Sequence, residues 1–108
     1  MPASVFSRST ECHNQDKVSM GTISARDCLR VIQLTQQVAA ASILITSQAL
    51  QLRVDSGEFS EEHLSESIRS FKADVFNHFQ LVEKDRPLDL DLRKFVGFID
   101  EEKWNLYS

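Results

Sequence analysis

Glycine and proline are scarce in this 108-residue chain, three and two respectively. A fold that turns often, as a β-sandwich does, draws on many such residues at its corners, so turn supply excludes that class and favours long helices. Basic charge is in deficit: 12 Lys plus Arg stand against 16 Asp plus Glu, for a formal net charge of -4. Neutralising a phosphate backbone needs clustered cations, and the lack of a basic stripe excludes a nucleic-acid surface. Cysteine is limited to Cys12 and Cys28, and the start Met1-Pro2-Ala3-Ser4-Val5-Phe6-Ser7-Arg8 lacks the charged and apolar regions of an export signal. Two cysteines in a non-secreted, cytoplasmic chain read as free thiols. A long apolar run is missing too. The longest stretch, Val38 to Leu52, is interrupted by Ser42, Thr46, Ser47, Gln48 and Gln51, short of the roughly 18 apolar residues of a bilayer span, so no membrane is expected. Gly-rich phosphate loops, paired CxxC motifs, nucleophile elbows and internal repeats are absent as well.

What is present is a helical chain of single-domain size, able to bury roughly 60 to 70% of its unfolded surface around one core. The first residues mix Pro, Ser, Thr, Asn and charges without periodicity, which reads as an extended arm over 1–18 followed by a helical segment over 19–108. From about Ser19 to Val54 there is no proline, and Ala, Leu, Gln, Arg and Ile dominate, which predicts one very long helix, on the order of 50 Å. Its first half carries an apolar stripe, whereas Val38, Ala39, Ala40, Ala41, Ile43, Leu44, Ile45, Ala49, Leu50 and Leu52 occupy every side of the helical wheel. A helix apolar all round is enclosed on all sides, and neighbouring chains or further polypeptide are expected to enclose this one. Asp55-Ser56-Gly57 ends it. Ser60 is the expected cap of a second helix over about 61–82, whose apolar face runs Leu64, Ile68, Phe71, Val75, Phe79 and Val82. Pro87 ends the charged turn that follows, and a third helix over about 90–104 carries Leu92, Phe95, Val96, Ile99 and Trp104.

Candidate chemistry is concentrated at Glu11-Cys12-His13-Asn14-Gln15-Asp16-Lys17, just before the long helix. Such a cluster can present polar side chains and free backbone N–H groups to an anionic ligand, although composition alone favours an ordinary lead-in capped by Asn14 or Asp16. Cys12 and His13 are sequential neighbours that point apart, so no catalytic thiol is expected. Asp74 and His78 share a helix face and His63 is a third possible metal ligand, but without a second strong ligand pair these read as a solvated face and no metal site is expected. Phe71, Phe76, Phe79, Phe95 and Phe98 are expected to be core or interface packing.

The run Glu11-Cys12-His13-Asn14-Gln15-Asp16-Lys17-Val18-Ser19-Met20-Gly21 resembles the E-x-x-N-Q-D-x-x-S-M-G block of the aromatic amino acid ammonia-lyases, the histidine, phenylalanine and tyrosine lyase family. Ser47-Gln48-Ala49-Leu50-Gln51-Leu52-Arg53 is similar to that family's A-Q-A-L-D-L-R helix end, and Asp85-Arg86-Pro87-Leu88 to its D-R-P-L. The resemblance covers the C-terminal fifth or so of a full lyase. It implies an all-α fold, resembling the C-terminal part of a central helical bundle, in a homotetramer or beside an N-terminal lyase portion. It implies elimination of ammonia from an aromatic amino acid to give an aryl acrylate. The family's electrophile, a methylidene-imidazolone, arises from an Ala-Ser-Gly triplet that this sequence lacks, so the chain itself is expected to hold no cofactor and to be inactive alone. By the same resemblance Gln15 faces the substrate amine and the electrophile, Glu11 lines the same pocket, and Asn14 accompanies them in a structural role. Phenylalanine and tyrosine lyases tend to carry Gln where histidine lyases carry Glu, and an amide cannot serve as a carboxylate base. Two other readings stand beside this one: a non-catalytic helical oligomerisation remnant, and a segment of an aromatic amino acid aminomutase.

Overall fold

A computed structural model describes residues 20–105. Its elements are helix α1 (Gly21–Asp55), a 3-10 turn (Glu61–His63), helix α2 (Glu66–His78) and helix α3 (Asp89–Asp100), with no strand among the described residues. The all-α class and the single long helix agree with the sequence reading. The chain divides between Thr35 and Gln36 into two units.

In the first unit, the described part is the opening of α1, which begins at Gly21 where the Ser24 amide donates to the Met20 carbonyl at 2.9 Å. Leu29, Val31, Ile32 and Leu34 are all exposed on it. The second unit holds the core. Ala40 and Leu44, one turn apart on α1, meet Val75 of α2, Phe79 just beyond it and Phe95 of α3. Ala40 is fully buried, and its single methyl lets neighbouring side chains come close to the helix backbone. Phe95 is fully buried too, which contributes about 2–3 kcal/mol of apolar transfer. Phe71, Phe98 and Trp104 surround it, with Trp104 stacked on Phe95 at 5.7 Å and edge-on to Phe71 at 5.2 Å.

Among the described residues, one stripe of α1 is covered. Ala40, Leu44 and Ser47 are buried, while Val38, Ile45 and Leu52 remain 66%, 68% and 50% exposed. The expected interruption of the apolar run by hydroxyl residues is weaker than composition implies. Ser42 Oγ donates back to the Val38 carbonyl at 2.8 Å and Thr46 Oγ1 to the Ser42 carbonyl at 2.6 Å, which satisfies both hydroxyls within the helix. By length and composition alone α1 contains an 18-residue window apolar enough to cross a bilayer, contrary to the sequence expectation. A helix enclosed in a protein assembly meets the same criterion.

Three element boundaries differ from those read in the sequence. Ser60 caps only the 3-10 turn, its hydroxyl accepting from the Glu62 amide, and α2 starts later because Ser65 takes the cap and accepts from the Ile68 amide. At its other end α2 stops at His78 instead of continuing to Val82. Phe79 is extended (φ -136°, ψ 129°), and Val82 finds its partners on α1, where the Gln48 side-chain amide donates to its carbonyl and accepts from its N–H, both at 3.0 Å. Helix α3 ends at Asp100 in place of Trp104. Glu102 adopts φ 53°, its amide reaches the Ile99 carbonyl and the Lys103 amide reaches that of Phe98, the bond pair of a Schellman cap. That turn returns Trp104 to the core. The glycine stop of α1 is as expected, with Gly57 at φ +79° and its amide on the Val54 carbonyl. Ile68, placed on the apolar face of the second helix by periodicity, is exposed.

Candidate functional site

The three residues to which the sequence assigns pocket roles, Glu11, Asn14 and Gln15, lie outside the described residues, as do Cys12, His13 and Tyr107. The end of their block is described: Gly21 begins α1 and the Met20 carbonyl accepts from the Ser24 amide.

Among the described residues the chemistry lies in the second unit. One cleft of about 530 Å³ is lined by Gln51, Glu61, Glu66, Arg69, Lys72 and Phe76. Lys72 is nearly buried, and its ammonium is paired with the half-exposed Glu61 carboxylate. That hydrogen bond, with the charge of the same lysine, holds the Glu61 carboxyl below its ordinary value. A second, apolar groove of about 370 Å³ runs between α1 and the extended segment after α2, lined by Leu44, Ile45, Ala49, Leu52, Phe79 and Leu88. Beside it Arg86, from the D-R-P-L run, donates to Asp91 Oδ2 at 2.7 Å and to the Gln80 carbonyl at 2.6 Å, and its guanidinium lies 5.6 Å over the Phe79 ring. Arg86 therefore fastens the extended segment to the start of α3.

The metal triad considered from the sequence does not assemble. Asp74 and His78 approach to 4.0 Å, but His63 packs on Phe59, and no group of three His, Cys, Asp or Glu comes together among the described residues. Asp74 is instead engaged by the Trp104 indole N–H at 2.7 Å, which is the main reason its carboxyl sits below the usual aspartate value, with Lys103 and His78 adding to the effect and burial opposing it. Cys28 is a free, exposed thiol.

The electrophile-forming triplet is likewise not supplied by a near match. Asp55-Ser56-Gly57 differs from Ala-Ser-Gly at one position, yet Gly57 is the left-handed cap of α1 and Ser56 Oγ donates to the Arg53 carbonyl. These three residues terminate a helix.

Sequence reasoning missed the Gln48–Val82 pairing, the Lys72–Glu61 pair and the fastening role of Arg86. Gln48 and Arg86 carried a signal, since both fall in the runs that resemble the lyases; Lys72 carried none.

Comparison with known proteins bears on residues 1–75, which match the family model for aromatic amino acid lyase. The chain is 36% identical over 91 residues to a tyrosine ammonia-lyase of Cereibacter sphaeroides, covering 84% of this chain and 17% of that protein. It is 35% identical over 108 residues to a histidine ammonia-lyase of Natranaerobius thermophilus, covering 89% and 21%. To the histidine ammonia-lyase of Bacillus subtilis it is 28% identical over 101 residues, covering 94% and 19%. The chain thus spans about a fifth of the length of the curated relatives it matches. No solved structure matches.

Proposed function

Because this chain belongs to the aromatic amino acid lyase family, we propose that it is the helical, pocket-lining C-terminal segment of an ammonia-lyase that eliminates ammonia from an aromatic amino acid. The observation that carries this reading is the match of residues 1–75, which contains the whole Glu11–Gly21 block. Gln15 is the residue assigned to the substrate amine: its amide oxygen can accept from an ammonium and its NH₂ can donate, but it cannot take up a proton as a carboxylate does. Glu11 lines the same pocket, and Asn14 accompanies them in a structural role. The amide at position 15 directs the substrate proposal to phenylalanine or tyrosine over histidine. The electrophile is not made by this chain, so turnover requires polypeptide that carries Ala-Ser-Gly. Association with such polypeptide, in a homo-oligomer or as the rest of the same lyase, and a cytoplasmic location belong to the same proposal.

The test follows the ultraviolet absorbance of aryl acrylate from Phe, Tyr and His. The chain alone is expected to give none. Joined to a lyase lacking its own final fifth, it is expected to restore product from Phe or Tyr, and Gln15→Ala is expected to lower that rate about 100-fold or more. Turnover by the chain alone would overturn its proposed dependence, and failure of the joined protein would overturn the pocket assignment.

A second reading, a non-catalytic helical oligomerisation module, is favoured by one observation: Val38, Ile45 and Leu52 recur every seven residues and are exposed, the pattern of an apolar seam awaiting another helix. A stable monomer at micromolar concentration in light scattering would count against it.

A further inference from the structure

The side chains gathered where α2 meets the turn after α3 form a connected network. His78 Nε2 lies 2.6 Å from Lys103 Nζ. An ammonium can only donate, so Nε2 is the acceptor and the imidazole proton resides on Nδ1. The same ammonium is 3.3 Å from Asp74 Oδ2 and 4.3 Å from the Phe98 ring centroid. Asp74 Oδ2 also accepts from Trp104 Nε1, and its Oδ1 is 4.0 Å from His78 Nε2. From α3, Lys94 Nζ donates to the His78 carbonyl at 3.3 Å and Phe98 packs edge-on against the imidazole. Among the described residues, the charged groups around His78 are therefore Asp74 on its own helix, Lys94 on α3 and Lys103 beyond it. There is one anion for two cations, and that anion already serves Trp104 and Lys103. The turn these contacts fasten is itself held in an unfavourable conformation, with Glu102 left-handed at φ 53°, a region costly for a residue with a Cβ.

We propose that His78, Lys103 and Asp74 form a proton-operated clasp, which keeps the turn after α3 closed while the imidazole is neutral and releases it when the imidazole is protonated. A proton taken up at Nε2 occupies the lone pair that accepts from Lys103 and converts an acceptor into a donor. It also sets an imidazolium against an ammonium at hydrogen-bond distance. The nearest acceptor for the new N–H is Asp74 Oδ1, and the ammonium, left without its acceptor on Nε2 and facing an imidazolium, is driven out into solvent. Lys103 takes with it the outer hold on the strained turn, so the segment carrying Trp104 loosens from Phe71, Phe95 and Phe98. The switch is local: the core residues Ala40, Leu44, Val75 and Phe79 make no part of it.

Trp104 is the single tryptophan, so its emission reports this turn alone. Quenching by neutral acrylamide is measured in the full chain from about pH 8 to about pH 5, the interval in which histidine side chains change charge. The wild-type quenching constant is expected to rise roughly twofold across that interval, as a locally opened segment exposes its indole. His78→Gln keeps an acceptor for Lys103 but cannot be protonated, and Lys103→Met leaves no cation to expel. Both are expected to give a flat profile, with far-ultraviolet helicity confirming the fold. A flat wild-type profile overturns the clasp, as does a wild-type rise that persists unchanged in either folded variant.

Discussion

Gln48 holds Val82 by both edges of one amide, as a neighbouring strand would. Removing it as Gln48→Ala leaves a partly buried N–H and C=O without partners, with an expected cost of about 1–3 kcal/mol. The fall in urea midpoint checks this, and Gln48→Glu, which keeps the acceptor and loses the donor, should lie between. Asp74 gives the second residue-scale prediction. Its folded carboxyl is depressed, first by the Trp104 hydrogen bond, so its stabilisation is complete above the ordinary aspartate value of 3.8 and is lost as pH falls through the lower folded value. Asp74→Asn retains an acceptor for Trp104 and cannot titrate. Its urea midpoint is expected to decline less steeply than wild type as the solution is acidified below pH 3.8. Glu61, depressed by Lys72, keeps the same sign, with its own loss below the ordinary glutamate value of 4.5.

At the scale of elements, caps decided where helices begin and end. Two serines compete before α2, and the structure assigns the helix to Ser65 and the 3-10 turn to Ser60. Ser65→Ala should therefore cost about 1 kcal/mol, whereas Ser60→Ala, at a three-residue turn, should cost measurably less in the same denaturation series. Glu102 makes the opposite case. A glycine there would occupy the left-handed region without a Cβ penalty, and Glu102→Gly is expected to stabilise the chain by about 1 kcal/mol, read as a higher urea midpoint. The ends of α2 and α3 were poorly legible for a shared reason. Apolar periodicity continues through Phe79, Val82 and Trp104, but those residues reach the core by leaving the helix, and periodicity records burial without recording the path to it.

Among the described residues of the molecule, α1 leaves seven large apolar side chains exposed, from Leu29 to Leu52. If Val38 and Ile45 form a seam for another helix, the double variant Val38→Ser, Ile45→Ser should keep its helicity while its average mass in sedimentation falls toward that of a monomer. Unchanged association would place the contact elsewhere. The family assignment rests on residues 1–75, and it was legible in the ordered runs around Gln15, Gln48 and Arg86. The candidate pocket was legible only as a motif, because Glu11, Asn14 and Gln15 precede the described residues and a pocket is a property of several segments brought together.

Composition and local pattern determined the all-helical class, the long proline-free α1, its glycine stop and the absence of an electrophile-forming triplet, since each depends on which residues stand next to one another. Tertiary structure alone decided that Gln48 would pair with the Val82 backbone, that Lys72 would be buried against Glu61, and that Asp74 would accept from the Trp104 indole. Those partners lie 34, 11 and 30 residues apart in the chain. Which distant polar group satisfies a buried one depends on where the packed helices bring it.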